Sequence, residues 1–262
     1  MSLAQPITVP ASLADLRQRV AAIERRPAAL DGEVERSRWL LGVGPIDQGL
    51  PAAGLDPHGL HEIAGQQEGD TVAAMGFALA LAARRGSGGK SSLLWAATAG
   101  QEREWGGLYA PGLHYLNAAP EHVVVAHGRN DADVLWSMEE GVRSRALRLV
   151  IGIVDAVDML EARRLSLAAA QAETPVLLLV RHPAATSAAQ SRWRIGAVAG
   201  APDRLDPQAP GLARWRVELA RCRNGRPGNW TLDWNHAAHS FHLAAALADR
   251  SAAADIGWRA AG

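Results

Sequence analysis

Leu60-His61-Glu62-Ile63-Ala64-Gly65-Gln66-Gln67-Glu68-Gly69-Asp70-Thr71 joins a short apolar strand to an alanine-rich helix through a glycine-bounded turn. Strand, loop, helix is the order in which a phosphate-binding loop aims backbone amides and a helix dipole at an anion. The chemistry departs from that pattern. Three residues separate Gly65 from Gly69 where the phosphate-loop signature has four, and Asp70 stands where the phosphate-binding lysine belongs. An anion in place of a cation repels a triphosphate, so Asp70 is expected to cap the helix instead. Gly65, Gly69, Asp70 and Thr71 are thus a degenerate nucleotide site, completed by Asp155 after the apolar run 149–154. The acid at such a strand end could hold magnesium. No nucleotide is expected to bind productively; ATP with magnesium belongs to the alternative in which the loop tolerates its altered sequence.

Glycines and the single lysine recur in Gly86-Ser87-Gly88-Gly89-Lys90-Ser91-Ser92, which imitates a phosphate loop. There a helix precedes and a strand follows, the reverse of the order the chemistry needs. The segment reads as a surface turn.

Around these landmarks, apolar runs at 60–64, 92–97, 123–126, 147–154 and 176–180 alternate with helical periodicity at 71–85, 131–145 and 158–172, with a helical piece near 111–117. Strands apolar on both faces and separated by helices imply an α/β fold, a mostly parallel sheet with helices on both sides. From residue 192 the pattern changes. Residues 192–198, 213–221 and 230–234 alternate polar with apolar, with Asn224-Gly225 and Pro227-Gly228 as turns, and predict antiparallel strands added near the C-terminal end. Arg192-Trp193-Arg194 and Arg214-Trp215-Arg216 would put arginines on one strand face and tryptophans on the other. Residues 1–40 read as a helix and linker, 41–238 as the core, and 239–262 as a tail or docking helix. The linker character, from many Gly and Pro, extends over 27–59.

In the N-terminal segment, Leu13, Leu16, Val20 and Ile23 form a narrow stripe at helical spacing. Such a stripe either docks on a partner or folds back on its own domain.

The chain has 262 residues, 27 basic and 27 acidic, so a uniformly basic nucleic-acid coat is excluded. Charge is nonetheless uneven: residues 181–230 hold nine arginines against Asp203, Asp206 and Glu218. Arg192, Arg194, Arg221 and Arg223 are the candidate contacts to DNA or an acidic partner, against the plainer reading of a solvated face. With Cys222 alone there is neither a disulfide framework nor a cysteine zinc cluster. His236, His239 and His242 sit three apart, a spacing that rotates around a helix, and no acid or cysteine completes a metal shell. The opening residues lack the order of a secretion leader and no apolar run approaches the length of a membrane span, so a cytoplasmic protein is expected.

Other stretches carry a family resemblance. They are Asp47, Gly49, Leu50, Gly54 and Leu55 leading into Gly59-Leu60-His61-Glu62-Ile63-Ala64-Gly65; Gly107-Leu108-Tyr109-Ala110-Pro111-Gly112-Leu113; Leu135-Trp136 with Glu139, Glu140 and Arg143; Arg163-Arg164-Leu165-Ser166-Leu167-Ala168-Ala169; and Trp215 with Arg221, Arg223 and Gly225. The first resembles the entry to the RecA phosphate loop, and the ordered set resembles the ImuA family of RecA-like inducible-mutagenesis proteins. The resemblance implies a RecA-like core and an accessory role in SOS-induced translesion DNA synthesis. The implied partners are an ImuB-type Y-family polymerase homologue and an error-prone polymerase, with RecA and DNA as further candidates. Two alternatives stay open: a DNA-dependent ATPase of RecA type, and an SOS cell-division inhibitor.

Overall fold

The computed structural model describes residues 39–85, 92–115, 120–200 and 211–244. The stripe Leu13, Leu16, Val20 and Ile23 and the turn at 86–91 lie outside them. All described residues belong to one compact unit beginning at Trp39.

The chain enters through a short helix, α1 (Gly44–Asp47), and a 3-10 turn at Pro51–Ala53, then forms β1 (Leu60–Gly65) and α2 (Thr71–Arg85). Next come β2 (Leu93–Thr98), α3 (Ala99–Trp105), α4 (Ala110–Tyr115), β3 (Val123–Gly128), α5 (Asp131–Arg143), β4 (Leu149–Val154), α6 (Met159–Ala172) and β5 (Val176–Val180). Four further strands follow: β6 (Ser191–Val198), β7 (Arg214–Cys222), β8 (Gly228–Asn235) and β9 (Ser240–Leu243). Among the described residues they make one sheet in the order β3-β2-β4-β5-β1-β6-β7-β8-β9.

The expected parallel half is present. β4 and β5 are buried at every position, because α5 and α6 cover one face and α2 the other. Gly152 in β4 is where α5 comes closest: a Cβ there would collide with the Met138 thioether. In contrast, β3 is the sheet's edge, with Val124 and Val125 exposed and β2 as its strand neighbour.

Three expectations need correction. The strand at 192–198 was expected to be antiparallel; it pairs parallel to β1 and antiparallel to β7, because the chain after β5 crosses over β1 before entering β6. Residues 39–59 are not a linker. Trp39, Leu41, Val43, Ile46, Leu50 and Leu55 are all buried in the core, and the Trp39 indole N–H donates to the Leu81 carbonyl at 2.9 Å. Gly and Pro there shape tight turns between buried apolar residues, and the Asp47 carboxylate accepts the Leu41 and Gly42 amides at 2.9 Å each. The proposed tail at 239–262 also begins inside the fold, since β9 pairs with β8 and buries Phe241. Its histidines follow from that: His236 and His239 are in the turn before β9 and His242 is in the strand, so no helix presents them. No group of metal-ligating residues occurs among the described residues.

The tryptophan–arginine alternation is as the sequence predicts. Trp193, Trp215 and Trp234 enter the core with Phe77 and Phe241, and Phe77 lies 5.9 Å from Trp215 and 6.1 Å from Trp193. Arg194 and Arg216 point to the opposite, open face.

Candidate functional site

In open α/β sheets, ligands lodge at the carboxyl ends of the parallel strands. Here those ends bring together the Gly65–Thr71 loop after β1, Gln101, Glu102 and Glu104 in α3 after β2, Asp131 at the start of α5, Asp155 after β4 and Arg181 after β5.

The loop after β1 is folded onto itself. The Gln66 N–H donates to the Ile195 carbonyl at 2.9 Å, and the Asp70 N–H to the Gln67 carbonyl at 3.0 Å. The Gln67 N–H donates to Asp70 Oδ2 at 3.1 Å, while Asp70 Oδ1 accepts the Ala197 N–H at 2.9 Å. Asp70 is therefore not the simple N-cap of α2. It is the third residue of a one-turn 3-10 helix, Glu68–Asp70, whose cap is Gln67, and it pins the loop to β6. A Cβ at Gly65 would lie 2.7 Å from the Gln67 carbonyl oxygen, so the loop closes only because Gly65 has no side chain. The Thr71 hydroxyl donates to the Glu68 carbonyl at 3.3 Å. A phosphate cradle requires successive amides free to converge on an anion. In this loop the amides of Gln66, Gln67 and Asp70 are already engaged.

Asp155 stands exposed at the end of β4. The Gln101 carboxamide, itself buried, reaches Asp155 Oδ1 and Asp131 Oδ1 at 3.5 Å each. Asp131 Oδ2 accepts the amides of Asp155 and Ala156 at 2.9 and 3.1 Å. These contacts tie the ends of β2 and β4 to the start of α5. Sequence reasoning missed Gln101 and Asp131. The signal for Gln101 was local: Thr98 and Gln101 form a reciprocal capping box.

Over this mouth, Arg181 spans from Glu68 to Glu104 at 3.1 Å each and lies 5.3 Å from the Trp105 ring centre. His127 and Glu102 pair at 2.8 Å. Six carboxylates (Glu68, Asp70, Glu102, Glu104, Asp131 and Asp155) against Arg181 make a poor seat for a triphosphate. Each carboxylate about 5 Å from a phosphate charge costs about 3 kcal/mol at an effective dielectric near 20.

No family model matches the chain. It is 33% identical over 239 residues to Protein ImuA of Caulobacter vibrioides (strain NA1000 / CB15N), an alignment covering 83% of this chain and 93% of that protein. Protein ImuA of the same species (strain ATCC 19089 / CIP 103742 / CB 15) aligns with the same identity and coverage. The chain belongs to the ImuA family.

The arginines through which this ImuA-family chain was expected to touch DNA or a partner are differently engaged. Arg192 Nε lies 2.9 Å from Glu62 Oε1, with both side chains largely buried. Arg221 donates to the Ser187 carbonyl at 2.9 Å. Arg194, Arg221 and Arg223 are all exposed. Arg216, opposite Gly196, lies on the same sheet face as Arg194, where the Arg214-Trp215-Arg216 alternation places it. Two further stretches of family resemblance, around Trp136 on α5 and Arg164 on α6, meet through an Arg164–Glu139 ion pair.

Proposed function

We propose that the chain is a non-catalytic accessory protein of SOS-induced mutagenic translesion DNA synthesis, working with a Y-family polymerase homologue and an error-prone polymerase. Membership of the ImuA family supports the pathway. The closed Gly65–Thr71 loop carries the non-catalytic part, since the Gln66, Gln67 and Asp70 amides and both Asp70 oxygens are engaged within the protein. On this reading the sheet is a RecA-like core that has kept the strand–loop–helix entry and lost the nucleotide. Among the described residues no helix is long and apolar enough to cross a membrane. A cytoplasmic location is part of the proposal.

Purified protein is expected to show no magnesium-dependent ATP turnover, with or without single-stranded DNA. Turnover abolished by Asp155→Ala would overturn this and make the chain a DNA-dependent ATPase. Co-purification with the polymerase homologue tests the assembly directly.

The exposed Arg194, Arg216 and Arg223 are proposed as the DNA contact. Phosphate contacts release counterions, so binding should weaken steeply with salt, and each arginine removed should lower the salt slope by about 1. Salt-independent binding would remove DNA from the partners.

A further inference from the structure

Opposite the mouth is the end of the sheet where the parallel strands begin. β7 finishes at the same end, because it runs antiparallel to β6 and its Cys222 pairs with Ser191. Backbone hydrogen bonds fix the order of the loops there: the Val150 N–H donates to the Pro175 carbonyl, Val176 to Gly59, Gln190 to Leu60 and Arg223 to Gln190. Arg145 and Arg148 precede β4, and Arg221, Arg223 and Arg226 surround the β7–β8 turn. Arg85, at the end of α2, joins them. Its Nε donates to the Arg148 carbonyl at 3.3 Å, and its guanidinium lies 5.4 Å from the Trp39 ring centre.

Charge at this end is unbalanced. Against these six arginines stand Asp56, Glu121 and Glu173, and none of the six is ion-paired with a carboxylate among the described residues. Arg84 and Arg143 also end helices here, but Asp47 and Glu140 match them. Arg85 is held beside Arg148, and burial together with that neighbour pushes its pKa down to about 10. Helix dipoles favour arginine in a last turn and so account for Arg85. They do not reach Arg148 or the β7–β8 turn.

Size and chemistry narrow the ligand. Four strand spacings, about 19 Å, separate β4 from β7. A lone phosphate cannot bridge that span, whereas about five successive phosphates of one nucleic-acid strand cover it. The loops at 56–59, 143–148, 171–175 and 221–228 carry no exposed large hydrophobic residue. Protein interfaces have an apolar, aromatic-rich centre, while nucleic-acid interfaces are polar and cationic. The mouth at the other end, with its six carboxylates, repels the same ligand. We propose that this end of the sheet binds the phosphate backbone of a nucleic acid. The inference rests on the DNA contact proposed above and moves its centre from Arg194 and Arg216, on the sheet face, to the end where Arg223 stands.

The test uses the full chain and a fluorescent 25-base-pair DNA. An end variant changes Arg145, Arg148, Arg223 and Arg226 to Gln, and a face variant carries Arg194→Gln with Arg216→Gln. In anisotropy titrations the end variant should bind at least about tenfold more weakly and lose about 3 to 4 from the salt slope, with an unchanged melting temperature. The face variant should bind within about threefold of the parent. DNA binding lost in the face variant and kept in the end variant overturns the inference and leaves the DNA reading standing. No DNA binding by the parent chain overturns both. Labelled polyglutamate bound as tightly as DNA would make the surface one for an acidic protein. Salt-sensitive self-association in sedimentation, dissolved in the end variant, would make a second copy the occupant. Either result overturns the proposal.

Discussion

The two halves of the sheet handle burial differently. β1, β2, β4 and β5 lie between helices and are apolar runs, whereas β6, β7 and β8 bury one face against α2 and leave the other polar. In the first half a charged side chain must be paired, as Glu62 is with Arg192. In the second, Arg194 and Arg216 alternate with core tryptophans and stand exposed, while Arg214, also in β7, is buried and paired with Asp233 of β8. Charge on the parallel half therefore reports on structure, and on the antiparallel half the unburied arginines are available for contact.

The sharpest way to break this contrast is within one strand. Trp193→Ala removes a fully buried ring whose indole N–H donates to Ser191 Oγ, and should cost about 3–5 kcal/mol in chemical denaturation. Its neighbour Arg194→Ala should stay within about 0.5 kcal/mol. Equal losses would mean that the two faces do not differ.

The buried pair comes next. Glu62→Ala strands the Arg192 guanidinium and should cost about 3 kcal/mol, and replacing Arg192 by Met in the same protein should recover much of it. Recovery of nothing would show that Glu62 matters for another reason.

His61 sharpens the comparison through pH. Burial holds its pKa below the ordinary 6.5, so the folded protein keeps it neutral, bonded to Ser191 Oγ and the Asp56 carbonyl. Below pH 6.5 the unfolded chain takes a proton that the folded chain refuses. Stability from this group is complete above pH 6.5 and falls as pH drops from there toward the folded pKa, by at most about 1.4 kcal/mol per pH unit. A His61→Gln variant should lose that part of the slope in urea titrations.

Smallest is the loop. Asp70→Ala frees the amides of Gln67 and Ala197 and should cost about 1 kcal/mol. Asp70→Lys should bind ATP no better, because the Gln66 and Asp70 amides remain bonded to backbone carbonyls. ATP binding gained by that one change would place the defect in the missing lysine alone.

Periodicity made the parallel strands and the long helices legible: α2 and β5 lie at 71–85 and 176–180, as the apolar pattern predicts. Composition misled at 39–59, where Gly and Pro masked six core residues, and β9 is too short for alternation to reveal it. The degenerate character of the Gly65–Thr71 loop was legible from Asp70, but its closure was not. That depends on Ala197, 127 residues away in sequence. Asp131 and the Glu139–Arg164 pair were hidden for the same reason, since each acquires its partner only when separate helices or strand ends meet.

The edge at β3, which no other strand among the described residues pairs, has a consequence for handling the protein. Val124 and Val125 are exposed on that strand, with no lysine or proline in Val123–Gly128 to deter pairing, on a chain without net charge at pH 7. Colloidal repulsion is weakest under those conditions, so a solubility minimum near neutral pH is expected, and Val125→Lys should relieve it by charging the strand that a neighbouring molecule would extend.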